Sequence, residues 1–290
     1  MGSQNLYQRQ GGGNELEFFG HFKYNGTQSE QYGLILANVS TKSNQLISGE
    51  INTLGMFNKR SIKTYYTGDD YSDSPLSFDV EIISERDEPL DLSEQREVMK
   101  WLFYQPGYRK LYITDMDDED YENVEIIDGN LKYLYVNCRF TNPSRIEGAG
   151  GVIGYKATME TDSGFAWQDA IVKTYTINAA STSTSSTITI NVDTDINDYT
   201  YPKLTIKMGS SGGNLQITNQ TDSNSRITTF HSLSVNAQVI MMPEIGYVSG
   251  QNYYKFYDRN FVRLVDGANI LTIIGNIASI TVEWQNRRYL

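Results

Sequence analysis

The sequence contains a single cysteine, two histidines and no long apolar run. One cysteine, Cys138, excludes an internal disulfide framework and a cysteine-based metal site. Its position inside the strand-like stretch 135–140 (YVNCRF) predicts a small buried core residue rather than a nucleophile. Because no stretch of about 18 apolar residues occurs, no membrane-spanning helix and no membrane partner are expected.

Basic residues are outnumbered by acidic ones. The chain has 24 Lys and Arg against 35 Asp and Glu, a formal net charge of −11. This balance argues against specific nucleic-acid binding, since contacts to phosphates require a surplus of cations. An acidic surface suits a soluble protein, and it also suits a channel through which nucleic acid slides without adhering.

Residues for catalysis or metal binding are few. His21 and His231 lie in or beside strand patterns without a Ser or Asp partner at a recognisable spacing, which predicts surface or hydrogen-bonded histidines. The acidic run Asp115–Asp120 suggests calcium, but the Gly that an EF-hand loop requires at its sixth position and the Glu at its twelfth are both missing, so a solvated hairpin tip is favoured. The Gly-rich segment 148–154 lacks the Lys-Ser/Thr of a phosphate loop and predicts a tight turn or a close backbone approach. We therefore predict no catalytic residue, no metal ligand, no cofactor and no enzyme activity.

The segment from Pro75 to Tyr104 is the most regular part of the chain. Leu76–Ile83 alternates apolar and polar residues and predicts a half-buried strand. A helix follows, with Asp91 or Ser93 as the N-cap and Glu94 placed as in a capping box. Its apolar residues have helical spacing: Val98, Trp101 and Leu102. No other segment predicts a helix convincingly.

Short strands account for the remaining periodicity. Asn25-Gly26 predicts a hairpin in which Tyr32–Val39 returns along the strand that ends at Tyr24. Residues 40–58 are polar and aperiodic, which predicts a long loop or an extended arm. From residue 171 onward, short strands recur about every dozen residues and predict a β-sandwich or jelly roll.

These patterns predict a mainly β protein with two domains. Residues 15–169 form the first, which includes the single helix, and residues 170–290 form the second. Residues 1–14 are polar and end in three glycines, as expected of a flexible or docking arm.

Aromatic residues of the second half have two interpretations. They would form a sugar-stacking face, or they would pack in the core and against other subunits. The set comprises Tyr199, Tyr201, Tyr247, Tyr253, Tyr254, Phe256, Tyr257 and Trp284. Tyr253, Tyr254 and Tyr257 are the candidates for sugar contact or packing.

Several segments, taken in order, resemble the distal tail proteins of long-tailed, siphovirus-type bacteriophages. In the first half these are FKYNGTQSEQYGLIL (22–36), PLSFDVEII (75–83) with LSEQREVMKWLF (92–103), YRKLYITDMDDEDYENVEI (108–126) and GYKATMETDSGFAW (154–167). In the second half they include Asn214–Asn219, Asp266–Asn269 and the closing Val282–Trp284. The resemblance covers most of residues 15–290.

This resemblance implies a structural protein of the virion, made in the host cytoplasm. The N-terminal domain would be a ring-forming β-sandwich with one helix, and the C-terminal domain a galectin-like β-sandwich. Six copies would form a tail-tip ring that caps the tail tube protein, lets DNA pass, and docks hub or lysin-type and receptor-binding proteins. A closed ring also leaves no free sheet edge.

Within such a ring, the aperiodic segment 40–58 suits an arm that embraces the neighbouring subunit. Its apolar residues are the candidates for the subunit interface: Leu46, Ile47, Ile51, Leu54, Met56 and Phe57. The alternative function is that of a two-domain carbohydrate-binding β protein that recognises host cell-wall glycans. A hydrolase is a distant third, because no nucleophile, base and orienting group assemble in the sequence.

Overall fold

A computed structural model describes eleven stretches of the chain. The chain divides into two compact units. The described residues are 20–41, 51–57, 64–71, 76–86, 88–113, 124–127, 130–179, 181–196, 198–242, 246–248 and 260–288. Unit 1 contains the described residues up to 113 together with 135–166. Unit 2 contains residues 124–134 and the described residues from 167 to 288. The predicted N-terminal arm, residues 1–14, lies outside the described residues.

The first ten strands and the helix occur before residue 162. They are β1 Phe22–Tyr24, β2 Thr27–Gln28, β3 Leu34–Thr41, β4 Ile51–Phe57, β5 Thr64–Tyr71, β6 Ser77–Ser84, α1 Leu92–Leu102, β7 Arg109–Ile113, β8 Val124–Ile127, β9 Asn130–Gly148 and β10 Gly151–Thr161. Seven of these strands form one sheet in the order β2-β1-β7-β9-β10-β6-β3, with antiparallel neighbours throughout. The strands β4 and β5 form a separate two-stranded sheet.

Eleven further strands follow. They are β11 Ala166–Gln168, β12 Ile171–Thr176, β13 Ser185–Val192, β14 Lys203–Met208, β15 Gly213–Asn219, β16 Ile227–Leu233, β17 Gln238–Met241, β18 Gly246–Val248, β19 Gly267–Ile274, β20 Ile277–Trp284 and β21 Arg287–Arg288. Nine of them form two sheets, in the orders β12-β20-β14-β17-β18 and β13-β19-β15-β16, and β11 pairs with β21. The inward-facing residues of the two sheets share one core, so unit 2 is a β-sandwich.

The start of α1 is set by a capping box. The Asp91 carboxylate accepts the backbone N–H groups of Ser93 and Glu94 at 2.7 and 2.8 Å, and the Glu94 side chain accepts the Asp91 N–H at 2.9 Å. Asp91 is therefore the cap, and Ser93 is the second helical residue. The predicted helix and the mainly β fold around it are confirmed. This helix is too short and too polar to cross a membrane, and no other described helix fits that role.

Trp101 anchors α1 on the sheet. Its ring stacks on Phe22 at a centroid distance of 5.5 Å, and its indole N–H donates to the Tyr24 carbonyl oxygen at 2.9 Å. Phe140 meets the Tyr24 ring edge-on at 5.0 Å. Aromatic rings thus fill the space between the helix and the sheet, and the one polar atom of the indole is paired. Cys138 is buried in this core, as the sequence predicts.

The hairpin at Asn25-Gly26 forms, but its return strand is shorter than expected. Both residues have positive φ angles, 48° and 84°, as a tight hairpin turn requires. Only Thr27 and Gln28 pair with β1, because a 3-10 turn begins at Ser29, whose hydroxyl accepts the Phe22 N–H at 3.0 Å. The strand β3 then pairs with β6.

The Gly-rich segment 148–154 contains a close backbone approach. A Cβ added at Gly154 would lie 2.2 Å from the Ile82 carbonyl oxygen, so only glycine fits opposite β6. At Gly151, φ is 140°, which places this residue in the turn between β9 and β10. The prediction of a turn and a close approach is confirmed.

Candidate functional site

The strands β4 and β5 form a ribbon at the place where the sequence predicted a loop or an extended arm. Ile51 pairs with Tyr71 and Phe57 with Thr64, with a register shift between Leu54 and Gly55. The shift breaks the apolar–polar alternation, which explains why the sequence showed no period there. Gly68-Asp69-Asp70, a turn signal in the sequence, lies within β5 and pairs with residues 52–54 of β4.

Four of the six candidate interface residues lie on this ribbon. They are Ile51, Leu54, Met56 and Phe57, all on β4. Leu46 and Ile47 lie outside the described residues. A two-stranded ribbon is marginally stable by itself in water, so it requires a surface to pack against.

Among the described residues, the strand order β2-β1-β7-β9-β10-β6-β3 ends at β2 on one side and at β3 on the other. The edge at β2 is only two residues long. The edge at β3 is eight residues long, and Leu36 there exchanges backbone hydrogen bonds with Gly20 at 3.0 and 3.3 Å. Beyond Leu36, no strand of the described chain pairs with this outer edge. A long exposed edge is a surface to which another chain can add.

A Ser–His–Glu chain occurs in unit 1, but it is not a catalytic triad. His21 Nδ1 lies 3.5 Å from Ser29 Oγ, and its Nε2 lies 3.1 Å from Glu85 Oε1. Ser29 is 0% exposed, and its oxygen already accepts the Phe22 N–H. A nucleophile must reach its substrate, so this serine serves to hold the 3-10 turn on β1. His21 is hydrogen-bonded, as the sequence predicts.

Other reactive groups in the described chain are buried or paired. Burial strongly raises the pKa of the Cys138 thiol, which leaves it protonated and unreactive. No group of three or more His, Cys, Asp or Glu residues within the described chain could hold a metal ion. The run Asp115–Asp120, considered above for calcium, lies outside the described residues.

Unit 2 contains a buried ion pair that no sequence pattern predicts. The Arg263 guanidinium donates two hydrogen bonds of 2.7 and 2.9 Å to the Asp222 carboxylate. It also lies 3.5 Å from the centre of the Tyr199 ring. The Arg263 guanidinium holds the pKa of Asp222 below its ordinary value. The two residues are 41 positions apart, so no local motif reveals them.

Three aromatic residues of the proposed sugar-stacking set have different surroundings. Trp284 is 3% exposed and belongs to the core, which favours packing for this residue. Tyr199 is covered on one face by Arg263, whereas Tyr201 is exposed. Tyr253, Tyr254 and Tyr257 lie outside the described residues, as does Phe256.

Both halves of the chain match models of known protein families. Residues 18–163 match a family model described as a phage tail protein N-terminal domain, and residues 165–284 match one described as a phage tail C-terminal domain. The chain belongs to this family of phage tail proteins. The resemblance to distal tail proteins is thereby confirmed at the level of the family. No curated protein matches the tail protein's sequence.

Solved structures share the tail protein's fold. The Dit protein of phage SPP1, described as a paradigm of the hub adsorption apparatus in phages that infect Gram-positive bacteria, aligns with a TM-score of 0.60 at 11% identity. That alignment covers 92% of the tail protein and 98% of Dit. Two structures of the activated phage p2 baseplate, with Sr and with Ca, align with TM-scores of 0.48 and 0.45 at 10% identity. At 11% identity, the likeness to Dit concerns the fold.

Proposed function

We propose that this tail protein is the structural hub of the tail tip. Six copies form a ring that joins the tail tube protein to the host-adhesion device and leaves a lumen through which DNA passes. The protein has no catalytic role in this proposal. Residues 15–169 form the ring, and the galectin-like residues 170–290 face outward, where hub or lysin-type and receptor-binding proteins dock.

One observation carries this proposal: the fold of a hub protein, SPP1 Dit, extends over 92% of the chain and accounts for nearly all of Dit itself. A match over both units implies more than a shared module. Both family models also describe phage tail domains, which supports a structural role in the tail.

Two surfaces of the first half support self-assembly. Within the described residues, no further strand pairs with the outer edge of β3 beyond Leu36 or with the ribbon of β4 and β5, so both can accept another chain. In a heterologous ring, every copy offers one surface and receives another, so all edges are covered at closure. We assign the neighbour contact to Leu46, Ile47, Ile51, Leu54, Met56 and Phe57.

The charge supports passage of DNA without capture. A net charge of −11 per chain is multiplied in a ring, and a negative lumen repels phosphates. Specific binding would need the opposite sign.

Mass measurement in solution tests the ring. We expect a species of about 197 kDa, six times the 32.9 kDa of one chain. Leu54→Asp places a charge on the ribbon and should shift the population towards single chains, because an unpaired charge is costly in an interface. Ile270→Asp, on an exposed apolar residue of unit 2, is the matched control and should leave the ring intact. A mass of one chain at every concentration would overturn the proposal.

The sugar-contact alternative has no support in the described part of unit 2. Trp284 is core, and Tyr199 is engaged by Arg263. The role of Tyr253, Tyr254 and Tyr257 stays a prediction, which binding to cell-wall glycans would decide.

A further inference from the structure

A groove runs along α1 in unit 1, and nothing in the proposed function accounts for it. We call it the α1 groove. It has a volume of about 740 Å³ and lies between the helix and residues of β9 and β10. The residues that matter are Leu92, Arg96, Lys100 and Tyr104 on the helix side, and Arg145 and Tyr155 on the strand side.

The α1 groove is basic on an acidic protein. Arg96, Lys100 and Arg145 line it, and no acidic residue does. All three side chains are exposed, and none forms an ion pair with any residue that the structure describes. Because the chain as a whole carries −11, this cluster is a local reversal of sign. Such a reversal attracts and orients an acidic partner.

The α1 groove also has features that point to an occupant. Leu92 at the start of α1 is 79% exposed, and Tyr104 just beyond its end is 73% exposed, so the groove has an apolar side chain at each end. Tyr155 is 2% exposed, yet its hydroxyl has no hydrogen-bond partner among the residues that the structure describes. A buried polar group without a partner costs about 1–3 kcal/mol.

The hydroxyl of Tyr155 is a hydrogen-bond donor without an acceptor among the described residues. Burial raises its pKa above the ordinary value, so the hydroxyl keeps its proton. Arg145 is near enough to oppose that shift electrostatically, which places a cation beside the donor. A carboxylate satisfies both groups at once, since it accepts the phenolic proton and neutralises the guanidinium.

We propose that the α1 groove binds the acidic segment Asp115–Glu122 of a second copy of this chain. The segment reads DMDDEDYE, so it has six carboxylates for the basic groups and two larger side chains, Met116 and Tyr121, for Leu92 and Tyr104. This inference rests on the proposed self-assembly and names one of its contacts.

The segment of the same copy does not extend to Arg145, at the strand side of the groove. It leaves β7 at Ile113 and re-enters the strands at Val124, which pairs with Tyr133 near the start of β9. Leu111 of β7 pairs with Val136, and Arg145 lies nine residues further along β9, which is about 30 Å at 3.3 Å per residue. A connection of residues 114–123 held at both ends extends at most about 18 Å, half of its contour length.

Disulfide trapping tests this contact in the full chain. Asp118→Cys with Ser144→Cys puts one thiol in the segment and one at the groove, and a disulfide forms only when the two Cα atoms approach within about 7 Å. After mild oxidation, we expect covalent multimers on non-reducing gels. Each single substitution should give at least about tenfold less product, and Cys138 is buried and should not contribute.

Charge reversal tests whether the groove and the segment attract each other electrostatically. Adding Arg96→Glu and Arg145→Glu should lower the yield of multimers at least about tenfold, because like charges then face each other. Adding Asp117→Lys and Glu119→Lys to that variant should restore the yield. Arg139→Glu is the control, since Arg139 lies on β9 outside the groove and pairs with Glu160.

The solution mass of each sample separates this inference from the ring itself. A ring-sized mass without multimers, or with a disulfide inside one chain, would overturn the inference and leave the ring standing. A yield unchanged by charge reversal would also overturn it. A mass of one chain at every concentration would overturn the ring and the inference together.

Discussion

The two units fill their cores with different side chains. Unit 1 packs one helix on one sheet, and six of its 21 core residues are Phe, Tyr or Trp. Unit 2 packs two sheets face to face, and among the 22 core residues described there only Phe230 and Trp284 are aromatic. Two sheets lie about 10 Å apart and interlock with aliphatic side chains, whereas a single helix leaves a gap that large rings must fill.

The buried polar groups of the two units also differ. In unit 1, the buried indole N–H of Trp101 is paired with a backbone carbonyl. In unit 2, the buried pair Asp222 and Arg263 connects two loops, and Asn219 donates to the Arg263 carbonyl oxygen at 2.8 Å. Unit 1 therefore depends on one anchor, while unit 2 combines a continuous core with a charge pair. The predictions below separate these two modes.

Trp101→Ala should have the largest effect. Removing the ring leaves a cavity and orphans the Tyr24 carbonyl oxygen, at a cost of about 3–5 kcal/mol in the stability of unit 1. Hydrogen–deuterium exchange read by peptide should show faster exchange in β1 and β7, with unit 2 unchanged.

Tyr104→Ala is the matched control for that experiment. Tyr104 is largely exposed just beyond the same helix, so its removal should cost less than about 0.5 kcal/mol. Equal effects of the two substitutions, or faster exchange throughout unit 2, would mean that Trp101 is not a local anchor.

Asp222→Asn should destabilise unit 2 by about 3 kcal/mol at pH 7, because Arg263 is left buried without its counter-charge. The pKa of Asp222 is lowered in the folded state. Its contribution is therefore complete above the unfolded pKa, about 3.9, and is lost as the pH falls through the folded value. Urea unfolding in a Trp101→Phe background, where Trp167 and Trp284 report on unit 2, should show a weaker acid dependence in the variant.

The control for Asp222 is Asp198→Asn. Asp198 pairs with Arg287 at 3.2 Å, but its side chain is half exposed, so the loss should stay below about 1 kcal/mol. The buried pair would lose its assigned role if both substitutions changed stability and acid dependence equally.

Asp91→Ala should have the smallest effect, about 1 kcal/mol in unit 1, because two backbone N–H groups lose their acceptor. Ser93→Ala, two residues later in the first turn, should change stability by less than about 0.5 kcal/mol. Thermal unfolding of both variants measures the difference. A larger loss with Ser93→Ala would contradict the assignment of Asp91 as the cap.

Short-range sequence patterns predicted the structure correctly where it depends on residues that are close together in the chain. The helix, its cap and the Asn25-Gly26 turn depend on contacts within a few residues, and each appears where the sequence predicts it. The regular spacing of strands after residue 171 likewise predicts a sandwich, because alternation reveals the buried face.

Sequence patterns did not predict the structure where the pairing strand is distant in the chain or where the apolar–polar alternation is broken. The strand β4 was not predicted because the register of its ribbon shifts after Leu54. The pairing of β3 with β6 was not predicted because it joins residues 37 (Thr41 and Phe78) to 50 (Leu34 and Ser84) positions apart. The α1 groove was not predicted for the same reason: Arg145 and Tyr155 reach it from strands more than 40 residues beyond the helix.

The sequence by itself determined a mainly β chain with one capped helix and the order of motifs that identifies a phage tail protein. Each of these properties is written in short-range periodicity or in residue order. Only the tertiary structure decided that β3 ends the strand order of unit 1 among the described residues, that Asp222 meets Arg263, and that three cations and the buried Tyr155 hydroxyl line one groove. These features arise from long-range strand pairing, which brings together residues that no local pattern connects.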